Sequence, residues 1–170
     1  MPHTMRHIIS ILLQNEAGAL ARVAALFSTR GYNIESLSVA PTEHAEISRL
    51  TLVTTGSDAV IDQISKQLLK LVDVVNTADM TMDDHIEREL LLIKVRTNPG
   101  AGDQLSKLVE SAGARVLDDA PETYTVELTG ANDCVDGFIA GIGSCAEILA
   151  VVRSGVMAIA RGHTVLGANF

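Results

Sequence analysis

The sequence predicts an α+β chain built of two successive βαββαβ units, each an antiparallel sheet with both helices on one face. Three observations predict it. Apolar, β-branched runs alternate with stretches whose apolar residues recur every three or four positions, in the order strand, helix, strand, strand, helix, strand. The same order returns after a charged stretch, Met82 to Glu89, near the middle of the 170 residues. The composition is 47% hydrophobic but 3% aromatic and without Trp, so the cores must be built from Ile, Val, Leu and Ala, which suits compact sheet-and-helix layers.

In the first half, Ile8, Ile9, Ile11, Leu12 and Leu13 predict a strand over about 6–13. Leu20, Val23, Ala24 and Phe27 then form one helical face over about 19–30, and Gly31 stops it. Residues 34–40 read as a second strand, Leu37 and Val39 alternating with Ser36 and Ser38. A turn over 41–45 leads to a third strand over 47–54. Ser57 is the candidate N-cap of a helix carrying Val60, Ile61, Ile64, Leu68 and Leu71. Val72, Val74 and Val75 begin a fourth strand reaching about Met80. This is the ferredoxin-like order, and the sheet face away from the helices needs cover.

The polar link at 82–89 divides a first domain, 1–81, from a second, 82–170. There the expected elements are a strand over 90–97, a helix with Leu105, Leu108, Val109 and Ala112, a strand over 114–117, a turn at 118–121, and an alternating strand with Tyr124, Val126 and Leu128. A helix over 132–142 and one long strand over about 148–160, bulged at Gly155, complete it. Residues 161–170 read as a mobile tail on which Phe170 docks.

The junction at residues 14–20 is the candidate site. Gly18 permits unusual dihedrals and close approach of a ligand to the backbone. Amides of about Ala17 to Leu20 stand at the positive end of a helix dipole and suit a carboxylate. Asn15 adds a carboxamide that donates and accepts. A small zwitterion fits, its ammonium taken by the oxygens of Asn15 and Asn33. Those asparagines are 18 residues apart, about 27 Å if all were helical, so a second copy of the chain would have to bring Asn33 to the site. The plainer reading makes Asn15 a loop cap and Asn33 part of an ordinary helix exit.

Other chemistry finds little support. The net charge of -8, without a basic patch, argues against nucleic acid and anionic membranes as partners. No Gly-x-Gly-x-x-Gly, Gly-Lys-Ser/Thr or Cys-x-x-Cys occurs, and no nucleophile, paired carboxylates or metal cluster stands at catalytic spacing, so catalytic and metal residues are expected to be none. His3 and His7 make a poor zinc pair, and His44, His85 and His163 read as surface residues. Cys134 and Cys145 read as buried free thiols of a reducing cytosol. The start of the chain, with Met1 or Met5 first, lacks a secretory or spanning run, so a cytoplasmic protein is expected.

The run Asn15-Glu16-Ala17-Gly18-Ala19-Leu20, with Arg22-Val23, Arg30-Gly31-Tyr32-Asn33-Ile34-Glu35-Ser36-Leu37 and Val39-Ala40-Pro41-Thr42, resembles the ACT domain of the acetolactate synthase small subunits. Ser48-Arg49-Leu50-Thr51, Lys70-Leu71-Val72-Asp73-Val74, Glu87-Arg88-Glu89-Leu90 and Arg153-Ser154-Gly155-Val156 extend the resemblance over nearly the whole chain. It implies a non-catalytic subunit, dimeric through its ACT domains, that activates a large catalytic subunit of branched-chain amino-acid (valine, leucine and isoleucine) biosynthesis and senses valine. It carries Asn15, Gly18, Ala19, Leu20, Asn33 and Ile34 over as effector-site residues, which the amide argument extends to Ala17. Thiamine diphosphate, Mg²⁺ and FAD are expected on the catalytic partner and no cofactor on this chain. An ACT sensor for a different enzyme, or a stand-alone sensor, is the alternative. A small enzyme assembled on oligomerisation, with Glu16 or Asp103 as base, is the remaining class.

Overall fold

A computed structural model of the chain describes residues 5–167. Its contacts divide into two units, one holding the residues up to Ile86 and from Val156 onward, the other Glu87–Gly155. The sequence reading instead sets the boundary at 81/82 and keeps everything after it in one domain.

The first unit contains β1 (Met5–Gln14), α1 (Ala19–Thr29), β2 (Ile34–Pro41), β3 (Ile47–Gly56), α2 (Asp58–Leu68) and β4 (Val74–Asp79). Its strands lie antiparallel in the order β2-β3-β1-β4. The reason is a match of two periods. Ile9, Ile11 and Leu13 on one face of β1, with Leu50 and Leu52 of β3, meet Val23 and Phe27 of α1 and Ile61, Ile64 and Leu68 of α2 in a single buried core. Ser57 takes the extended backbone of an N-cap, but its hydroxyl makes no capping bond. Val72 does not begin β4 as expected; it is 83% exposed in the connection, and β4 opens at Val74.

The second unit repeats the order with β5 (His85–Thr97), α3 (Gly102–Ser111), β6 (Arg115–Ala120), β7 (Thr123–Gly130), α4 (Asn132–Gly143) and β8 (Ala146–Arg153), its sheet running β6-β7-β5-β8. Leu91, Ile93, Val126, Leu128, Phe138 and Ile142 are central to its core. The expected link over 82–89 is partly strand. Glu89, 3% exposed, lies inside β5, where Arg153 binds it. The expected turn at 118–121 is also displaced. Asp118 and Asp119 belong to β6, and the reversal falls at Pro121 and Glu122, whose φ is 66°. β6 is an exposed edge strand, so it has no need of apolar residues there. Cys145 is buried as expected, whereas Cys134 is exposed because α4 turns Val135, Phe138 and Ile142 inward.

The long apolar run over 148–160 is two strands, not one. β8 ends at Arg153, Gly155 takes φ 78°, and β9 (Met157–Ala160) follows. Val156 and Ala158 return to the first unit and pack with Ile8, Val53 and Met80. Ile8 and Val53 alternate with the core-facing residues of β1 and β3, so this cluster lies on the sheet face away from the helices. The chain's own C-terminal stretch thus covers that face. The expected mobile tail is tied down over 161–167: Arg161 N donates to Asp84 O (2.9 Å), Arg49 Nη2 to Leu166 O (2.8 Å), and Asn76 Nδ2 to Gly167 O (3.0 Å). Phe170 and His3, on which two of the sequence-based expectations fall, lie outside the described residues. No helix among the described residues is long and apolar enough to cross a membrane.

Candidate functional site

β1 delivers the chain to an exposed loop at Asn15 to Gly18, and α1 leads away from it. The loop is pinned on its strand side by Gln14 N donating to Asp73 O (2.8 Å) and Asn15 N donating to Glu46 O (2.7 Å). Gly18 caps α1 in the left-handed region, φ 89°, a conformation that a side chain disfavours. No side chain caps this helix, and its first turn holds no acidic residue. Its start therefore has positive potential that the helix itself does not neutralise.

The predicted residues fall as follows. Asn15 is exposed, and its Nδ2 donates to Ala45 O (2.9 Å) on the β2–β3 turn, which leaves Oδ1 as the end able to accept an ammonium. Ala17, Gly18 and Leu20 donate to no backbone carbonyl among the described residues, but Ala19 N donates to Glu16 O (3.2 Å). Ala19 is also 2% exposed, so it belongs to the core. Leu20 does not share the buried face with Val23 and Phe27; it is 37% exposed beside the loop. Asn33 is exposed at the far end of α1, its main-chain O accepting Thr54 Oγ1 (2.7 Å), and half-buried Ile34 packs on the first core. Only 11 residues between the asparagines are helical, so α1 itself is about 16 Å long. The asparagines still flank opposite ends of it.

Sequence reasoning missed the charged brace of this site. Arg22, one turn into α1, donates Nε to Asp73 Oδ2 and Nη2 to Asp73 Oδ1 (2.7 Å). A Cβ placed on Gly18 would stand 2.8 Å from Arg22 Nη1, so the guanidinium lies directly against the glycine. Asp73 has a side-chain exposure of 4%, Arg22 47%. The hydrogen bonds from Arg22 hold the Asp73 carboxyl below its ordinary pKa, against the opposing effect of burial; the same bonds raise that of Arg22. Arg22 thus stands at the loop as one half of an ion pair, with Nη1 the guanidinium nitrogen nearest Gly18. Chemically the arrangement can hold a carboxylate without proton transfer. His7, by contrast, is a buried strand residue whose Nδ1 stands 3.1 Å from Asp79 Oδ2.

Comparison with known proteins adds a second line of evidence. Residues 9–76 match the family profile described as AHAS small subunit-like ACT domain, and residues 88–162 the one described as small subunit of acetolactate synthase. The chain is 44% identical over 162 residues to the acetolactate synthase isozyme 3 small subunit of Escherichia coli, covering 95% of this chain and 99% of that one. It is 44% identical over 159 residues to the acetolactate synthase small subunit of Haemophilus influenzae, covering 94% and 98%. The crystal structure of the small subunit from Thermotoga maritima superposes with a TM-score of 0.84 at 34% identity, over 94% of this chain and 99% of that one.

Proposed function

This chain belongs to the family of acetolactate synthase small subunits, and from that premise we propose that it activates a large catalytic subunit and makes it answer to valine. Thiamine diphosphate, Mg²⁺ and FAD would all reside on that partner, and this chain would contribute no group to the reaction. The observation that carries the reading is the uncapped start of α1, where the amides of Ala17, Gly18 and Leu20 and the guanidinium of Arg22 converge on one exposed loop.

In this reading the carboxylate of valine lies on those amides, and Arg22, held by Asp73, supplies the matching charge. The ammonium is taken by Asn15 Oδ1 and by Asn33 Oδ1 of a second copy, so the effector site forms in a homodimer of ACT domains. Exposed Leu20 and, from the second copy, half-buried Ile34 give the isopropyl group an aliphatic wall. A ligand that bridges two chains stabilises one placement of them over another, which is how binding would reach the catalytic subunit. The demand is modest: a tenfold change in activity needs about 1.4 kcal/mol of difference in valine binding between the two states.

The test is reconstitution. The purified chain alone should form no acetolactate from pyruvate, should raise the rate of an added large subunit, and should lose that effect as valine is titrated. Calorimetry on the chain alone should show valine binding. A chain that leaves the large subunit's rate unchanged with and without valine would overturn the reading.

A further inference from the structure

We infer that the first unit carries a second ligand site, a groove at Arg49 that binds a small aliphatic monocarboxylate. It does not depend on the valine site at α1. Arg49 stands on β3 opposite Leu12 of β1, on the sheet face away from the helices. Its Nη1 donates to Ser10 Oγ (3.3 Å) and its Nη2 to the main-chain O of Leu166 (2.8 Å). Both acceptors are neutral. Arg22, Arg115 and Arg153 each grip a carboxylate, whereas Arg49 pairs with none among the described residues.

A guanidinium offers five N–H donors in a planar fork, and bonds to an ionised acceptor are about twice as strong as those to a neutral one. Arg49 commits two of those donors to weaker partners, beside space that a stronger one can enter. Three cavities border its side chain, of about 200, 150 and 260 Å³, and the first and last lie beside the β2–β3 turn. Leu12, Ile47, Val165 and Leu166 line the first, so a short branched hydrocarbon finds apolar contact there. Thr42 and Glu43 border the first and the last. The carboxylate of Glu43 disfavours a multiply charged anion such as phosphate in the same space and is tolerable to a ligand carrying one negative charge. Ser10, fully buried beneath the guanidinium, fixes its height above the sheet.

The test is a methyl-NMR titration of the full chain with isovalerate, which has a branched hydrocarbon and a carboxylate but no ammonium. Saturable shifts at Leu12, Ile47, Val165 and Leu166 are expected. They should weaken at least about tenfold in Arg49→Gln, which keeps the size but loses the charge, and persist in Asn15→Ala. Val165→Trp, placed on the exposed stretch over the first cavity, should abolish them, and it decides the matter should Arg49→Gln not fold. Absence of saturable shifts at these methyls in the wild-type chain would overturn the inference. So would shifts confined to α1 and lost in Asn15→Ala, a result that leaves the valine reading intact.

Discussion

Arg22 and Asp73 latch the start of α1 to the segment that follows α2: two guanidinium nitrogens grip the two carboxylate oxygens, and Asp73 O at the same time receives Gln14 N. Because Arg22 also lies against Gly18, loop, helix and brace form one unit. A ligand that changes any part of it works against the others.

This latch predicts a pH dependence. The Asp73 carboxyl sits below its ordinary value because Arg22 hydrogen-bonds its charged form. A depressed folded-state pKa adds stability that is fully present above the unfolded value, about 3.9, and is lost as pH falls below it. Urea unfolding followed by circular dichroism should therefore show an acid-side decline starting near pH 4. Asp73→Asn should lower stability at pH 7 and flatten that part of the decline. An unchanged slope would show that Asp73 is not its source.

Gly18→Asp should abolish valine binding, but not silently. The structure sets two costs against this change. A side chain at φ 89° loses about 1–2 kcal/mol relative to glycine, and the new Cβ would meet Arg22 Nη1 at 2.8 Å. The new carboxylate would also compete for the guanidinium and the amides. The expected outcome is a melting temperature lowered by several degrees, consistent with that cost, together with calorimetric loss of valine binding. Gly18→Ala separates the effects, since it brings the strain without the charge.

Much of this was readable in advance, for physical reasons that also mark the limit. Alternating Ile9, Ile11 and Leu13 can bury one face only as a strand, and Val23 with Phe27 only as a helix, so the βαββαβ order followed from local pattern. The loop was legible because Gly18 marks a backbone that few residues adopt. Arg22 and Asp73 were not, because they lie 51 positions apart and each alone reads as a solvated surface charge. The destination of β9 was hidden for a different reason. Period-two alternation says that a strand has a buried face but not which sheet buries it, and Gly155 redirects the chain where the apolar run continues unbroken.

In the second unit, Arg153 joins Glu89 through Nε and Nη2 (2.9 and 2.6 Å) and Asp136 through Nη1 (2.8 Å). Glu89 is 3% exposed and Arg153 33%. Removing one partner of a fully buried pair costs about 3–5 kcal/mol; the partial exposure of Arg153 reduces this to about 2 kcal/mol for Arg153→Ala, with Glu89 left unpaired. A double-mutant cycle with Glu89→Gln should give clear coupling, because the second substitution removes the stranded charge. Additive effects in urea unfolding would mean that the pair is not coupled in solution.

Because Asn15 and Asn33 lie at opposite ends of α1, the proposed two-chain effector site would be open to complementation. Each alanine substitution removes a hydrogen bond to a charged ligand group, about 1.5–3 kcal/mol, or at least about tenfold in valine affinity. Homodimers of either variant should bind weakly at both sites. Mixed dimers of Asn15→Ala and Asn33→Ala chains carry Asn15 on one protomer and Asn33 on its partner. If the site is shared between chains, half of the sites in such a dimer regain both asparagines, and calorimetry should detect wild-type affinity at half the stoichiometry. If both residues served a ligand within one chain, no site in the mixture would be intact and the affinity would stay weak. The same mixture added to a large subunit should regain part of its valine response, and a mixture that stays as insensitive as its components would place the whole site on one chain.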